Sequence, residues 1–263
     1  MTKFFLFAKA KIFFTIILIL SVLILSSVVV FGEESKKITE IHIVTPDWQD
    51  QTNKDGSGLF FELIRKIYEP CGLKMTYEIM PWKRAEDMIN KKHADAMLCA
   101  RNRKGRLTTK YPMFVEYTAV VFKKDNIKKW EGINTLNKKK VIWIRGYDFH
   151  KDKKLKHLKM KWHELNSHKQ AWTLIDADRY DFYIDALIDM EMYIKNNIKD
   201  MTPYQIEILW SENTYMSFAK TERSDKLIKI FDKKIIELFK SGELEKLFKK
   251  WNTRFSPAAW ESN

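Results

Sequence analysis

Between residues 38 and 100 the chain switches repeatedly between extended and helical patterns, and that alternation restricts its fold more than any other feature. ITEIHIV (38–44) alternates and then meets Thr45, Pro46, Asp47 and Trp48, so it reads as a strand that ends in a loop. The turn of Asp55, Gly56, Ser57 and Gly58 opens a helix over 59–68, where Leu59, Leu63, Ile64 and Ile67 recur at helical spacing. KMTYEIM (74–80) is a second strand, Pro81 breaks it, and WKRAEDMINKK sets Ala85, Met88 and Ile89 on one helical stripe. Residues 94–100 form a third strand. Strands separated by helices of this length predict parallel pairing and right-handed crossovers, an α/β architecture. Ligands of open α/β sheets bind beyond the carboxyl ends of the strands. The polar loop after the third strand, with Ala100, Arg101, Arg103 and Arg106, is therefore expected where a small anion is held.

The later chain suggests a second compartment. EYTAVVFK (116–123) is a long apolar strand leaving the first unit, and extended runs at 204–210 and 214–220 return to it. Two such crossings are what a two-lobed clamp needs. Between them, KVIWI (140–144) is a strand followed by Arg145, Gly146, Tyr147 and Asp148, and a glycine there lets backbone N–H groups approach a ligand. Ser167 caps a helix over 167–177. A strand over 179–185 ends at Asp185, which stands where an N-cap for a helix over 186–196 belongs. Ser224 is expected to cap an amphipathic helix with Leu227, Ile228, Phe231, Ile235, Leu238 and Phe239 on one side. Ser241 and Gly242 break it before a last short helix over 243–251.

Charge and targeting narrow the function classes. Lys3, Lys9 and Lys11 precede an uncharged apolar run over 12–31, and Val30, Phe31 and Gly32 suit a cut before Glu33. Residues 1–32 read as an export signal, with an uncleaved membrane anchor as the alternative, and either places the body outside the cytoplasm. No cysteine near the cut offers a lipid tether. The formal net charge of +13 is locally concentrated, with 14 Lys or Arg against 4 Asp or Glu over 123–161. This reads as a solvated basic face, without the stacking platform or module that nucleic-acid binding requires. Cys71 and Cys99 fall in a turn and near the far end of a strand, a poor arrangement for a disulfide. His163 and His168, five apart, diverge by about 140° on a helix and cannot share a metal from one face. The common catalytic signatures, phosphate loops and dinucleotide fingerprints have no match, and no cofactor is expected.

The proline-tryptophan-basic-Arg-Ala turn at 81–85, the strand containing Asp95, the arginine loop before Tyr111 and Pro112, and the ending KSGELEKLFKKWN together resemble the family 3 bacterial extracellular solute-binding proteins. The resemblance covers nearly all of 40–252. It implies a type 2 periplasmic binding protein fold with residues 33–120 and 218–263 in one lobe and 121–217 in the other. It implies that Asp95 has a structural role at the start of its strand, and that TYMSFAKTE is the returning hinge strand. It also implies a pocket in which Arg101 or Arg106 holds a carboxylate and Asp185 receives an amino group. Asp47, Trp48, Trp82, Arg84, Ala100, Gly146, Tyr147 and Tyr215 would line that pocket, with a surface role for Arg84, surface packing for Trp48 and core packing for Tyr215 as the structural alternatives. The function implied is capture of an amino acid or related carboxylate by a monomeric periplasmic receptor for an ABC permease. The alternatives are a sensor serving a membrane partner, or a dehydratase of prephenate-like acids with Glu116 or Asp148 as general acid.

Overall fold

The computed structural model describes residues 38–198 and 200–261, so the expected leader lies outside the described residues. Among the described residues, no helix is long and apolar enough to cross a membrane. The first region alternates as expected: β1 (Glu40–Thr45), α1 (Leu59–Tyr68), β2 (Lys74–Ile79), α2 (Trp82–Asn90) and β3 (Ala96–Arg101). β1 pairs in parallel with both β2 and β3. A two-residue strand, β4 (Leu107–Thr108), and β5 (Phe114–Lys123) follow. The chain then builds β6 (Lys140–Ile144), β7 (Lys161–Leu165), α3 (His168–Asp176), β8 (Phe182–Ala186) and α4 (Leu187–Asn197). It returns along β9 (Tyr204–Phe218) and ends in α5 (Glu222–Lys240), α6 (Glu243–Lys250) and α7 (Ala258–Glu261).

The strands join in the order β2-β1-β3-β9-β5-β8-β6-β7, with β4 on β9. Among the described residues, the two parallel groups are joined through the antiparallel β5/β9 ribbon, which carries hydrogen bonds to β3 on one side and β8 on the other. β9 is a single strand of 15 residues, where sequence reading expects two extended runs. Residues 211–213, where the break is expected, pair in regular register with 115–117, and the ribbon's register shift lies just before them, between Thr118 and Ala119.

Strand periodicity places the core. Val120, Phe122, Val141, Trp143, Phe182 and Ile184 pack on one face of the β5–β8–β6 group. Their neighbours Ala119, Val121, Ile142 and Tyr183 pack on the other, against Trp172 and Ile175 of α3 and Met190 of α4. Asp95, at the start of β3, accepts the His42 N–H at 2.8 Å and pairs with Arg223 at 3.2 Å, the structural role expected of it. The last helices pack onto the first region: Phe248 of α6 stacks on Phe114, and Lys250 and Trp251 both reach Glu62 of α1.

Two local readings are corrected. α5 begins at Glu222 after Thr221, so Ser224 lies inside the helix, where its hydroxyl donates back to the Ala219 carbonyl at 2.6 Å. α4 begins at Leu187 after Ala186, so Asp185 is not its N-cap. Residues 161–165 are a strand and His168 opens α3, so His163 and His168 do not share a helix at all. Ser167 does cap α3, accepting from the Gln170 N–H at 3.3 Å. Cys71 and Cys99 are free thiols.

Phe248 is fully buried against Phe114, Phe255 and Trp260. Phe248→Ala is expected to lower stability by about 3–5 kcal/mol in urea unfolding, the usual cost of emptying an aromatic core site. A loss under about 1 kcal/mol means that the C-terminal helices are not part of the cooperative core.

Candidate functional site

The register of the β5/β9 ribbon sets Glu116 directly against Glu212. Like charges facing each other across a strand pair repel, so this geometry needs cations. Arg101, the last residue of β3, supplies one: Nε lies 2.8 Å from Glu212, and the terminal nitrogens lie 3.7 Å from Glu116 and 3.8 Å from Asp152. Lys154 supplies another, 2.9 Å from Glu212 and over the Trp210 ring. Asp152 and Lys154 follow β6, so the cluster ties one half of the sheet to the other. β3 arrives here through a bulge at Cys99, whose φ is +53° and which falls in the register shift between Met97 and Ala100. None of the Arg101 ion pairs has hydrogen-bond geometry: two are too long, and Glu212 Oε2 has no hydrogen-bond partner. Its guanidinium N–H groups therefore remain available to a stronger acceptor.

A second acidic group adjoins the first. Asp185, fully buried at the end of β8, accepts from the Ala186 N–H at 2.9 Å and from the Tyr183 hydroxyl, and its Oδ2 lies 2.9 Å from His168 Nδ1. One turn on, Asp189 accepts from the Tyr147 hydroxyl at 3.1 Å and from Gln51 Nε2 at 3.0 Å. Gln51 belongs to the loop after β1, so this bond also spans the halves. That loop is held tightly: Gly58 has φ +120°, and a Cβ there would lie 2.4 Å from the Gln51 carbonyl oxygen.

Burial and crowding of like charges shift these groups together. Burial, opposed by Arg101 and reinforced by Asp189, Glu212 and Asp185, pushes Glu116 up to about 7. Burial and the Asp185 charge push Asp189 up to about 6. Burial disfavours the His168 imidazolium, but the hydrogen bond to Asp185 and its charge outweigh it, so the histidine is raised. Burial and Asp189 hold the Tyr147 hydroxyl well above its ordinary range. The result is a proton-rich cluster of carboxyls around one guanidinium.

Of the residues singled out in the sequence, Ala100, Arg101, Tyr147 and Asp185 fall in or beside this cluster, and Tyr215 pairs with Ala100 on β9. Gly146, with φ +96°, precedes Tyr147 in the turn after β6. Trp48 and Trp82 pack on each other with ring centres 6.0 Å apart, and Trp48 also meets Phe60 edge-on. Asp47 is exposed and pairs with Lys54 at 3.4 Å, while Arg84 is exposed on α2. Arg106 stands apart, paired with Glu86 at 2.5 Å. It lines a cavity of about 390 Å³ with Arg103, Lys104 and Lys220, which shares no lining residue with the Arg101 cluster.

Residues 44–254 match the bacterial extracellular solute-binding proteins, family 3. The chain belongs to that family. No curated protein matches it. Among solved structures, an ancestral arginine-binding protein bound to arginine is 19% identical, with a TM-score of 0.65 over 81% of this chain and 98% of the other. The glutathione-import protein GshT, described with the cystine ABC importer TcyBC of Streptococcus mutans, is 17% identical, with a TM-score of 0.68 over 85% and 100%. A histidine kinase sensor domain with similarity to periplasmic binding proteins is 17% identical, with a TM-score of 0.66 over 81% and 96%. The fold is that of the two-lobed type 2 periplasmic binding proteins.

Several residues of this cluster were not legible in advance. Gln51, Asp152, Asp189 and Glu212 become neighbours only through tertiary contacts. Asp189 alone carried a local signal, lying one helical turn beyond Asp185.

Glu116, Asp189 and His168 all hold protons more tightly in the folded chain than in the unfolded one. For the two carboxyls the stabilising contribution is complete below the unfolded carboxylate range and is lost as pH rises through about 6 to 7; for His168 it is complete below the ordinary imidazole value and is lost above it. The thermal midpoint is expected to fall between pH 5 and 8, and Glu116→Gln to flatten that fall. A midpoint that rises across this interval contradicts the assignment.

Proposed function

We propose that this protein is a periplasmic receptor that closes on an amino acid or related solute carrying a cationic group, and that it delivers the solute to an ABC importer. On this reading the described parts of 33–120 and 218–263 make one jaw and those of 121–217 the other. The observation that carries the reading is the composition of the charged cluster between the halves. Among the described residues, the carboxyls of Glu116, Asp152, Asp185, Asp189 and Glu212 are opposed there by the cations Arg101 and Lys154 and by His168, and both halves contribute.

The chemistry divides in two. A ligand carboxylate takes the terminal nitrogens of Arg101 as a bidentate pair and displaces the long contacts to Glu116 and Asp152. Glu116, with its carboxyl near neutral pH in affinity for a proton, yields Arg101 at little electrostatic cost. A ligand ammonium or guanidinium takes Asp185 and Asp189, replacing the Gln51 and Tyr147 donors on Asp189. Trp48, Trp82 and Tyr215 supply the apolar wall, and the Gly146 turn brings backbone N–H groups to the opposite side. Closure follows because a ligand touching both jaws binds the closed state more tightly than the open one. Arg106, engaged by Glu86 in a separate cavity, is not needed for the carboxylate.

Calorimetry against arginine, lysine, glutamine and glutamate tests this. Arginine or lysine is expected to bind and glutamate not to. Asp189→Asn is expected to weaken the cationic ligand at least about tenfold, in line with loss of a charge-assisted hydrogen bond. Preference for glutamate, or unchanged affinity in Asp189→Asn, overturns the reading.

One observation favours a second reading. A carboxyl that is half protonated near pH 7, beside a guanidinium able to hold a carboxylate, is what acid-assisted dehydration of a prephenate-like acid requires. Incubation with prephenate, followed by absorbance of an aromatic product, decides it. Turnover that disappears in Glu116→Gln supports the enzyme, and no turnover removes it.

A further inference from the structure

β6 and β7 run in parallel with Trp143 in register with Glu164, so these side chains share a face with Trp162, two residues before Glu164. The turn after β6 carries Asp148, in the left-handed region at φ +53°, and His150 within a single 3-10 turn. His150 lies flat on Trp162, ring centres 4.2 Å apart and planes 9° apart, and parallel to Trp143 at 6.0 Å. Trp143 in turn donates its indole N–H to Glu164 at 3.4 Å. The imidazole and the carboxylate are thus both held by indoles.

This arrangement brings one ligand atom each from Asp148, His150 and Glu164 within 4.8 Å of one another. A separate observation points the same way: His150 Nδ1 is buried and has no hydrogen-bond partner. Buried polar atoms are rarely left unpaired without a reason. Lys151 is the competing cation, 3.0 Å from Asp148, but both partners of that pair are at least half exposed and it is weak.

We propose that Asp148, His150 and Glu164 form a binding site for a divalent first-row cation of the zinc type. One imidazole nitrogen and two carboxylate oxygens are the donors that a borderline cation prefers, whereas calcium and magnesium favour all-oxygen shells. Zinc ligands at about 2.0–2.2 Å from the metal lie closer together than these donors do now, and the exposed Asp148 side chain is the one free to close the gap. Three protein donors leave a fourth position to water. The indole contacts to His150 and Glu164 act as the supporting shell that orients ligands. A bound ion also pins the turn that carries Tyr147, whose hydroxyl meets Asp189 in the cleft, so the site stands beside the solute pocket but does not depend on it.

The test is calorimetric titration of chelator-treated full chain with zinc chloride, with tryptophan fluorescence recorded in parallel. One zinc per chain is expected, with a fluorescence change from the indoles around His150. His150→Gln and Glu164→Gln are expected to remove that binding event. Asp148→Asn is expected to weaken it by at least about tenfold, and because Asp148 is exposed this variant keeps the fold even where His150→Gln does not. Absence of stoichiometric binding, or an unchanged affinity in Asp148→Asn and Glu164→Gln, overturns the proposal.

Discussion

Two glutamates face each other across the ribbon that joins the two halves of the sheet, and the rest of the site follows from how their repulsion is met. Glu116 and Glu212 are fixed opposite one another by the β5/β9 register, so neither can retreat without breaking the ribbon. Arg101 from β3 and Lys154 from beyond β6 both converge on Glu212. The cations therefore come from both halves, and neutralising the pair also draws the halves together. Glu116 keeps the more distant share of Arg101, and its raised proton affinity is the second way in which the crowding is relieved.

The same logic separates affinity from stability. A buried ion pair that is fully hydrogen-bonded in the free protein leaves little for a ligand to gain, because the ligand must first break it. Here the contacts of Arg101 fall outside hydrogen-bond geometry, while Asp189 is satisfied by neutral donors, Gln51 and Tyr147. Neutral donors exchanged for a ligand cation strengthen the bond to the carboxylate, since charge-assisted hydrogen bonds are about twice as strong as neutral ones. On the proposed reading, a zwitterion that reaches these groups would replace each contact between the halves with a better one.

How much of this was legible in the sequence depends on the range of the interaction. β1, α1, β2, α2 and β3 follow from local periodicity and from Pro81 and the Asp55-to-Gly58 turn, and they lie where the pattern puts them. β7 was missed because KWHEL has only one side-chain face in the core: Trp162 remains 45% exposed, so the apolar signal is thin. β9 was read as two runs because Ser211, Glu212 and Asn213 interrupt the apolar pattern, yet these are the residues that cross between the halves, where one face meets solvent and charge. Arg101 and Asp185 were visible as residues at strand ends, and Asp95 through its place in the family pattern. Gln51, Asp152 and Glu212 were not, because only the folded chain makes them neighbours. Ser224 was misplaced by three residues for a simpler reason: a serine near a helix start satisfies either the cap position or, as here, a carbonyl just before it.

The charge of the whole chain and that of the cleft have opposite signs, and distance decides which one a solute feels. The net +13 is concentrated in the lysine-rich run over 123–161, much of it on exposed side chains. Such charges are screened over roughly 8 Å at physiological ionic strength. The carboxylates of the cleft are partly desolvated, so their attraction for a cation at contact is screened far less. On the reading proposed above, the basic exterior sets the approach of large charged partners, while selection of the solute falls to the few carboxylates around Arg101. A cationic guest would be repelled weakly at long range and held strongly at short range. An anionic guest would meet the reverse, and Arg101 alone, already shared among three carboxylates, is a poor basis for retaining it.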